Sequence, residues 1–187
     1  MADERILVAV DVSNLWRSCQ EVFGNWYRVN YIALQKKIRA QRFHECNIKF
    51  IAYTVTLPPK WIGREGGRRK KLTHENDKFL TYLRLKGFEV KNLVAKTEKS
   101  VNKPFHTDWD VGIALDAVNL ANTYDTFMLV SGDGDYSILL EDLRKRDKRV
   151  EVVTFEQTTS RTLHLAADKV IFLTEKEVFQ AQPKYDA

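Results

Sequence analysis

Short β-branched apolar runs alternate with amphipathic stretches along most of this chain, and that alternation predicts strands and helices in turn. Ile6-Leu7-Val8-Ala9-Val10 forms a first strand over 5–10 that runs straight into Asp11. A short helix follows over 14–23. Asn30 caps a second helix that turns Ile32, Leu34, Ile38 and Phe43 inward. Alternation over 47–56 gives a second strand, ended by Leu57-Pro58-Pro59, and a loop over 60–71 leads to a helix over 73–86 with Gly87 at its stop. A third strand spans 88–95, and 96–107 is polar and basic. Asp108 is the candidate N-cap of a helix over 108–121 that buries Val111, Ile113, Ala114, Leu115, Val118 and Leu120. Thr126-Phe127-Met128-Leu129-Val130 is a fourth strand, stopping abruptly in Ser131-Gly132-Asp133-Gly134-Asp135. A helix over 136–146, a strand over 150–155, a short helix over 160–167 and a strand over 169–173 complete the pattern. The tail from Glu175 is helical and then frays.

Strands alternating with helices imply an α/β fold: a mostly parallel sheet of five or six strands, helices on both faces and right-handed crossovers. The 187 residues suffice for one such domain. With no repeat and no linker, 1–174 reads as a single domain and 175–187 as a C-terminal tail. The hydrophobic share of 44% and charged share of 29% are those of an ordinary globular protein. No apolar stretch approaches the ~20 residues of a membrane helix, and the N-terminus lacks the basic-then-apolar order of a secretory signal. Cys19 and Cys46 suggest no disulfide framework, so a reduced, cytoplasmic protein without membrane partners is expected.

Charge is distributed unevenly. From Lys60 to Lys103 there are 13 Lys or Arg against 5 Asp or Glu, within a chain of net charge +5. An acidic site beside a basic surface able to hold a polyanion fits this asymmetry. A solvated Lys-rich surface is the plainer alternative.

The acids carry the chemistry. In a parallel sheet all strand C-termini lie on one edge, so Asp11, Asp133 and Asp135 share that edge. They converge if the first and fourth strands are neighbours where the strand order reverses. The helix leading into the fourth strand starts on the same edge, and Asp110 lies in its first turn. Asp116 lies about 600° further around that helix and faces elsewhere. Four clustered carboxylates cannot all ionise comfortably: each pair at ~4 Å costs roughly 4 kcal/mol at an effective dielectric of 20. Protonation or a cation relieves this. Oxygen ligands without His or Cys suit Mg²⁺ or Mn²⁺ and, with them, phosphate chemistry. Singly, Asp11 can be read as a helix cap and Asp133 with Asp135 as turn-formers.

Strand-Asp11-x-x-Asn14, Asp110-Val111-x-x-x-Leu115-Asp116 and Ser131-Gly132-Asp133-Gly134-Asp135-Tyr136, in that order, resemble the NYN domain group of the PIN-like nucleases, most closely its LabA-like branch. Lys148-Arg149-Val150-Glu151-Val152 and Leu165-Ala166-Ala167-Asp168 extend the resemblance over residues 5–174. It implies a Rossmann-like PIN fold and a metal-dependent ribonuclease site. Asp11, Asp110, Asp133 and Asp135 match the metal-site acids. Asn14 matches a position that orders the site, with Ser131 in support, and Asp116 is a supporting or structural residue. One departure stands out: the family often carries a Lys shortly before the aspartate matched by Asp110. Here His106-Thr107-Asp108-Trp109 stands in its place, with Lys103 a little earlier.

The expected function is therefore hydrolysis of RNA phosphodiester bonds through an acidic Mg²⁺ or Mn²⁺ site. The loop bearing Lys60, Trp61, Arg64, Arg68, Arg69, Lys70 and Lys71 would bind the backbone and stack a base, which suits single-stranded RNA. Trp61 can equally be a packing anchor. Two other readings are open: a non-catalytic RNA-binding or regulatory protein on the same fold, and a haloacid-dehalogenase-type phosphatase. The phosphatase requires an acid where this chain has Ser13. A homodimer is also open.

Overall fold

The computed structural model describes residues 3–42, 44–56, 66–95 and 108–181, with the backbone alone over 66–74. Its centre is a six-stranded, all-parallel sheet. The strands are β1 (Glu4–Asp11), β3 (Cys46–Thr56), β4 (Phe88–Val94), β5 (Thr126–Val130), β6 (Arg149–Phe155) and β7 (Lys169–Leu173), in the order β4-β3-β1-β5-β6-β7. β1 pairs with β3 on one side and β5 on the other, so the strand order reverses at β1. The expected adjacency of the first and fourth predicted strands is this β1–β5 pair, with Val10 opposite Val130.

Both sheet faces are covered, which is why β1 and β5 are apolar along nearly their whole length instead of alternating. Ile6, Val8 and Val10 point into one core with Leu15 and Cys19 of α1 (Val12–Phe23), Leu34 and Ile38 of α2 (Tyr31–Arg39), and Leu83 of α3 (Gly66–Leu85). Leu7 and Ala9 point into the other core. There they meet Ile113 and Ala117 of α4 (Asp110–Asn119), Leu140 and Leu143 of α5 (Ser137–Lys145), and Leu163 of α6 (Arg161–Ala166). Single-turn helices at 121–123, 134–136, 156–158 and 175–177 fill the connections.

Several details differ from the pattern. A second, antiparallel sheet pairs β2 (Tyr27–Val29) with β8 (Val178–Gln180), so the segment after Glu175 makes one helical turn and then a strand. Three residues per strand are too few for alternation to register. α3 begins at Gly66, inside the stretch expected to be loop. Lys and Arg are good helix formers, and the sequence has four of them in a row at 68–71. Ile32 is exposed, because α2 buries the Tyr31, Leu34 and Ile38 side. Val111 and Leu115 are 71% and 57% exposed. α4 carries apolar residues on two sides, and Ile113 with Ala117, four apart, take the inner one. Asp108 does not cap α4. Trp109 occupies the cap position without a side-chain cap bond; its indole N–H donates to the Thr54 carbonyl at 2.7 Å and its ring packs against Tyr53. Phe43, Lys103, His106 and Thr107 lie outside the described residues.

Candidate active site

Asp11 ends β1 at the edge where the strand order reverses and caps α1. Its Oδ1 accepts the Asn14 backbone N–H at 3.0 Å, and the side chain is almost wholly buried. Burial is the main force pushing its carboxyl above the ordinary carboxylate range, and the charge of Asp110 adds to it. The Asn14 N–H, the Tyr136 hydroxyl and the Arg17 charge pull the other way.

Asp110 is the first residue of α4 and lies half-buried on the same edge. Its Oδ1 accepts the Tyr136 hydroxyl at 2.7 Å, and that hydroxyl is 3.3 Å from Asp11 Oδ2. A phenol has one proton to donate, so the shorter bond to Asp110 takes it. Burial also pushes the Asp110 carboxyl up, and the charges of Asp108, Asp133 and Asp135 push it the same way, against the Tyr136 bond. Tyr136 itself is buried and its hydroxyl is held strongly in the protonated form, first by burial and then by the two carboxylates.

The segment after β5 is pinned at nearly every residue. Ser131 Oγ accepts the Asp133 N–H at 3.2 Å, and Asp133 Oδ1 accepts the Asp135 N–H at 3.1 Å. The Gly132 N–H donates to Asn14 Oδ1 at 3.0 Å, and its carbonyl accepts the Ser160 N–H at 3.0 Å. Both glycines lie under a close approach, against backbone at Gly132 and against side chains at Gly134. A Cβ on Gly132 would strike the Thr158 carbonyl, and one on Gly134 would lie 2.5 Å from Ser160 Oγ. Asp133 is half-buried and Asp135 exposed.

The four acids thus lie at one sheet edge. Asp11 and Asp110 share a hydroxyl, and the charges of Asp133 and Asp135 reach Asp110. Among the described residues, no three His, Cys, Asp or Glu side chains stand close enough together to hold a metal ion. Asp116 is directed elsewhere: its Oδ2 accepts Lys91 Nζ at 2.6 Å and the Tyr53 hydroxyl at 2.8 Å. Of the basic loop, Lys60, Trp61 and Arg64 lie outside the described residues. Arg68, Arg69, Lys70 and Lys71 lie on the α3 backbone. Among the described residues, no helix is long and apolar enough to cross a membrane.

Tyr136, the residue that joins Asp11 to Asp110, is the main one that sequence reasoning missed. Its signal was present: a bulky aromatic directly after the acidic turn must point into the core beneath it. Thr158, Ser160 and Thr162, which press on the two glycines, left a weaker trace in the hydroxyl-rich run after β6.

A doubly covered parallel sheet whose strand order reverses at β1 is a doubly wound α/β fold, and folds of this class bind their ligands at the edge where the acids lie. The NYN domain family model matches residues 5–174, and the chain belongs to that family, a group of the PIN-like nuclease superfamily. The low amplitude and bright protein LabA of Synechococcus elongatus is 31% identical over 97 residues, covering 50% of this chain and 52% of LabA, so the match spans about half of that relative. This agrees with the LabA-like branch. A crystal structure of a protein of unknown function from Vibrio parahaemolyticus superposes with a TM-score of 0.71 at 28% identity, covering 95% of this chain and 97% of that one. Zinc-bound T5 5'-exonuclease gives a TM-score of 0.48 at 15% identity, over 82% of this chain and 56% of that one.

Proposed function

We propose that this chain is a metal-dependent ribonuclease, one NYN domain over residues 1–174, that hydrolyses phosphodiester bonds of single-stranded RNA in the cytoplasm. The observation that carries the reading is the meeting of Asp11 and Asp110, ends of two distant segments, on the one hydroxyl of Tyr136. Two acids with raised pKa values at a sheet's ligand edge are functional-site chemistry more than fold chemistry.

The donor chemistry suits Mg²⁺ or Mn²⁺: Asp11, Asp110, Asp133 and Asp135 offer oxygen alone, a cation would offset the mutual repulsion that helps raise Asp11 and Asp110, and binding would have to draw at least three of these carboxylates closer together than they stand. A divalent ion held by these acids would supply a water of lowered pKa and neutralise charge developing on phosphate. The chain's own residues do the positioning. Asn14 fixes Asp11 through its backbone and the Gly132 turn through its side chain, and Ser131 orients Asp133. Tyr136 keeps Asp11 and Asp110 at a set separation. The basic run from Lys60 through Lys71 supplies backbone affinity.

Purified protein with Mn²⁺ is expected to cleave single-stranded RNA, and Asp11→Asn and Asp133→Asn are expected to abolish this while remaining folded. Cleavage surviving in both variants would overturn the assignment. The engagement of Asp133 Oδ1 as a turn cap favours the non-catalytic RNA-binding reading, in which salt-sensitive binding occurs without metal-dependent cleavage.

A further inference from the structure

α1 is capped by Asp11, and its second turn carries two neighbouring residues that face outward. Leu15, Ser18 and Cys19 are buried, whereas Trp16 is 44% exposed and Arg17 is exposed beside it. Trp16 stands about a turn and a half beyond Asp11 with nearly half of its surface open to solvent. Arg17 leans back toward the acid edge. Its Nε donates to the Ser13 carbonyl at 3.4 Å, and its charge reaches Asp11. Trp16 lies five residues beyond Asp11, about 8 Å along the helix axis. The other exposed tryptophan among the described residues, Trp26, lies past the far end of this helix, immediately before β2.

We infer that Trp16 is a base-stacking platform and Arg17 its phosphate contact, so that the site takes a strand with unpaired bases and threads it from the acids onto α1. This deepens the ribonuclease reading above and rests on it. An indole face stacks on any base without reading sequence. A duplex offers no free base face, and the strand must be single there. The local charge suits the same occupant. The acids repel a phosphate backbone, and Arg17 offers the adjacent cation on which a backbone can rest as it leaves them.

The test uses the full chain carrying Asp133→Asn, which blocks cleavage, and fluorescence anisotropy with a labelled single-stranded oligouridylate and a blunt RNA duplex of the same length. Adding Trp16→Ala is expected to weaken single-strand binding about ten-fold or more and leave duplex binding unchanged. Trp16→Phe is expected to retain most of the affinity, and Trp26→Ala all of it. Arg17→Ala should lower the slope of log affinity against log salt by about one phosphate contact. Trp16→Ala binding the single strand as tightly as Trp26→Ala, or losing duplex affinity equally, would overturn the inference. If the native chain cleaves RNA with Mn²⁺ and Trp16→Ala still binds normally, this inference alone fails. If the native chain neither binds nor cleaves RNA, the ribonuclease reading falls and takes this one with it.

Discussion

The side chain of Asn14 accepts a hydrogen bond from the backbone N–H of Gly132 at 3.0 Å, across 118 positions of sequence. It ties the turn after β5 to the first turn of α1, so the two acid-bearing strand ends are fixed to each other as well as to the sheet. Asn14→Ala leaves the Gly132 N–H without that partner in a buried setting, where an unmet donor costs about 1–3 kcal/mol. Chemical denaturation should show a loss in that range, and RNA cleavage with Mn²⁺ should fall more steeply than stability, because Asp133 moves with the turn.

Tyr136→Phe keeps the buried ring and removes the hydroxyl shared by Asp110 and Asp11. Hydrogen bonds to charged groups contribute about 1.5–3 kcal/mol, and a loss of stability near the lower end is expected, since Asp110 is half-exposed. The bond lowers the pKa of both acids. Removing it should therefore raise the pH at which Asp11 takes up a proton, which carbon-detected NMR of the Asp carboxyls would read.

Much of this arrangement was legible in the chain. Hydrophobic runs ending in Asp11 and in Ser131-Gly132-Asp133 marked two strand ends, and the alternation of elements put both on one edge next to Asp110. Helix phase correctly turned Asp116 away from Asp110. What the chain did not reveal has a physical cause in each case. α4 is apolar on two sides, so composition could not choose between Ile113 and Val111 as the inward residue. β2 and β8 exist through pairing with each other, which no local pattern encodes. The role of Tyr136 depends on a contact with residue 11, and that of Gly132 on contacts with Thr154 and Thr158, both invisible to periodicity.

Gly132→Ala tests that close approach. The added methyl would meet the Thr158 carbonyl, which is backbone and cannot swing aside, and would sit 3.0 Å from Thr154 Oγ1. Forced packing of this kind costs about 1–3 kcal/mol. A melting temperature lowered by several degrees, with cleavage lost, is the expected outcome. An unchanged melting temperature would mean that the loop from Thr158 to Ser160 yields freely.

Asp11→Asn should stabilise the metal-free protein near neutral pH. The Asp11 pKa is raised above its ordinary 3.8, chiefly by burial. The folded state therefore holds its proton to a higher pH than the unfolded state does, and stability declines as pH rises from that ordinary value through the raised one. Asn keeps an Oδ1 to accept the Asn14 N–H and carries no charge, so it escapes this decline. Melting curves across pH should show the variant above the native chain at pH 7, with the gap closing as pH falls toward 4. A gap that widened on acidification would reverse the sign of the assigned shift. Excess Mg²⁺ is expected to raise the native chain's melting temperature by mass action and leave Asp11→Asn nearly unmoved.

Asp116 separates a structural acid from the proposed site acids on the same helix. Its carboxylate holds Lys91 and the Tyr53 hydroxyl, and Tyr53 pairs in register with Asp11 on one side and Lys91 on the other. The pair is partly exposed, 30% for Lys91 and 23% for Asp116, so a double-mutant cycle of Lys91→Met with Asp116→Asn should give a coupling of about 1 kcal/mol or less. Asp116→Asn keeps an acceptor for Tyr53 and leaves the edge at Asp11 undisturbed. It is expected to retain most RNA cleavage, whereas Asp110→Asn, six residues earlier, should lose nearly all of it at equal or greater stability. Equal loss of cleavage in the two variants, with Asp116→Asn still folded, would bring Asp116 and Lys91 into the reacting site and break the distinction drawn from helix phase.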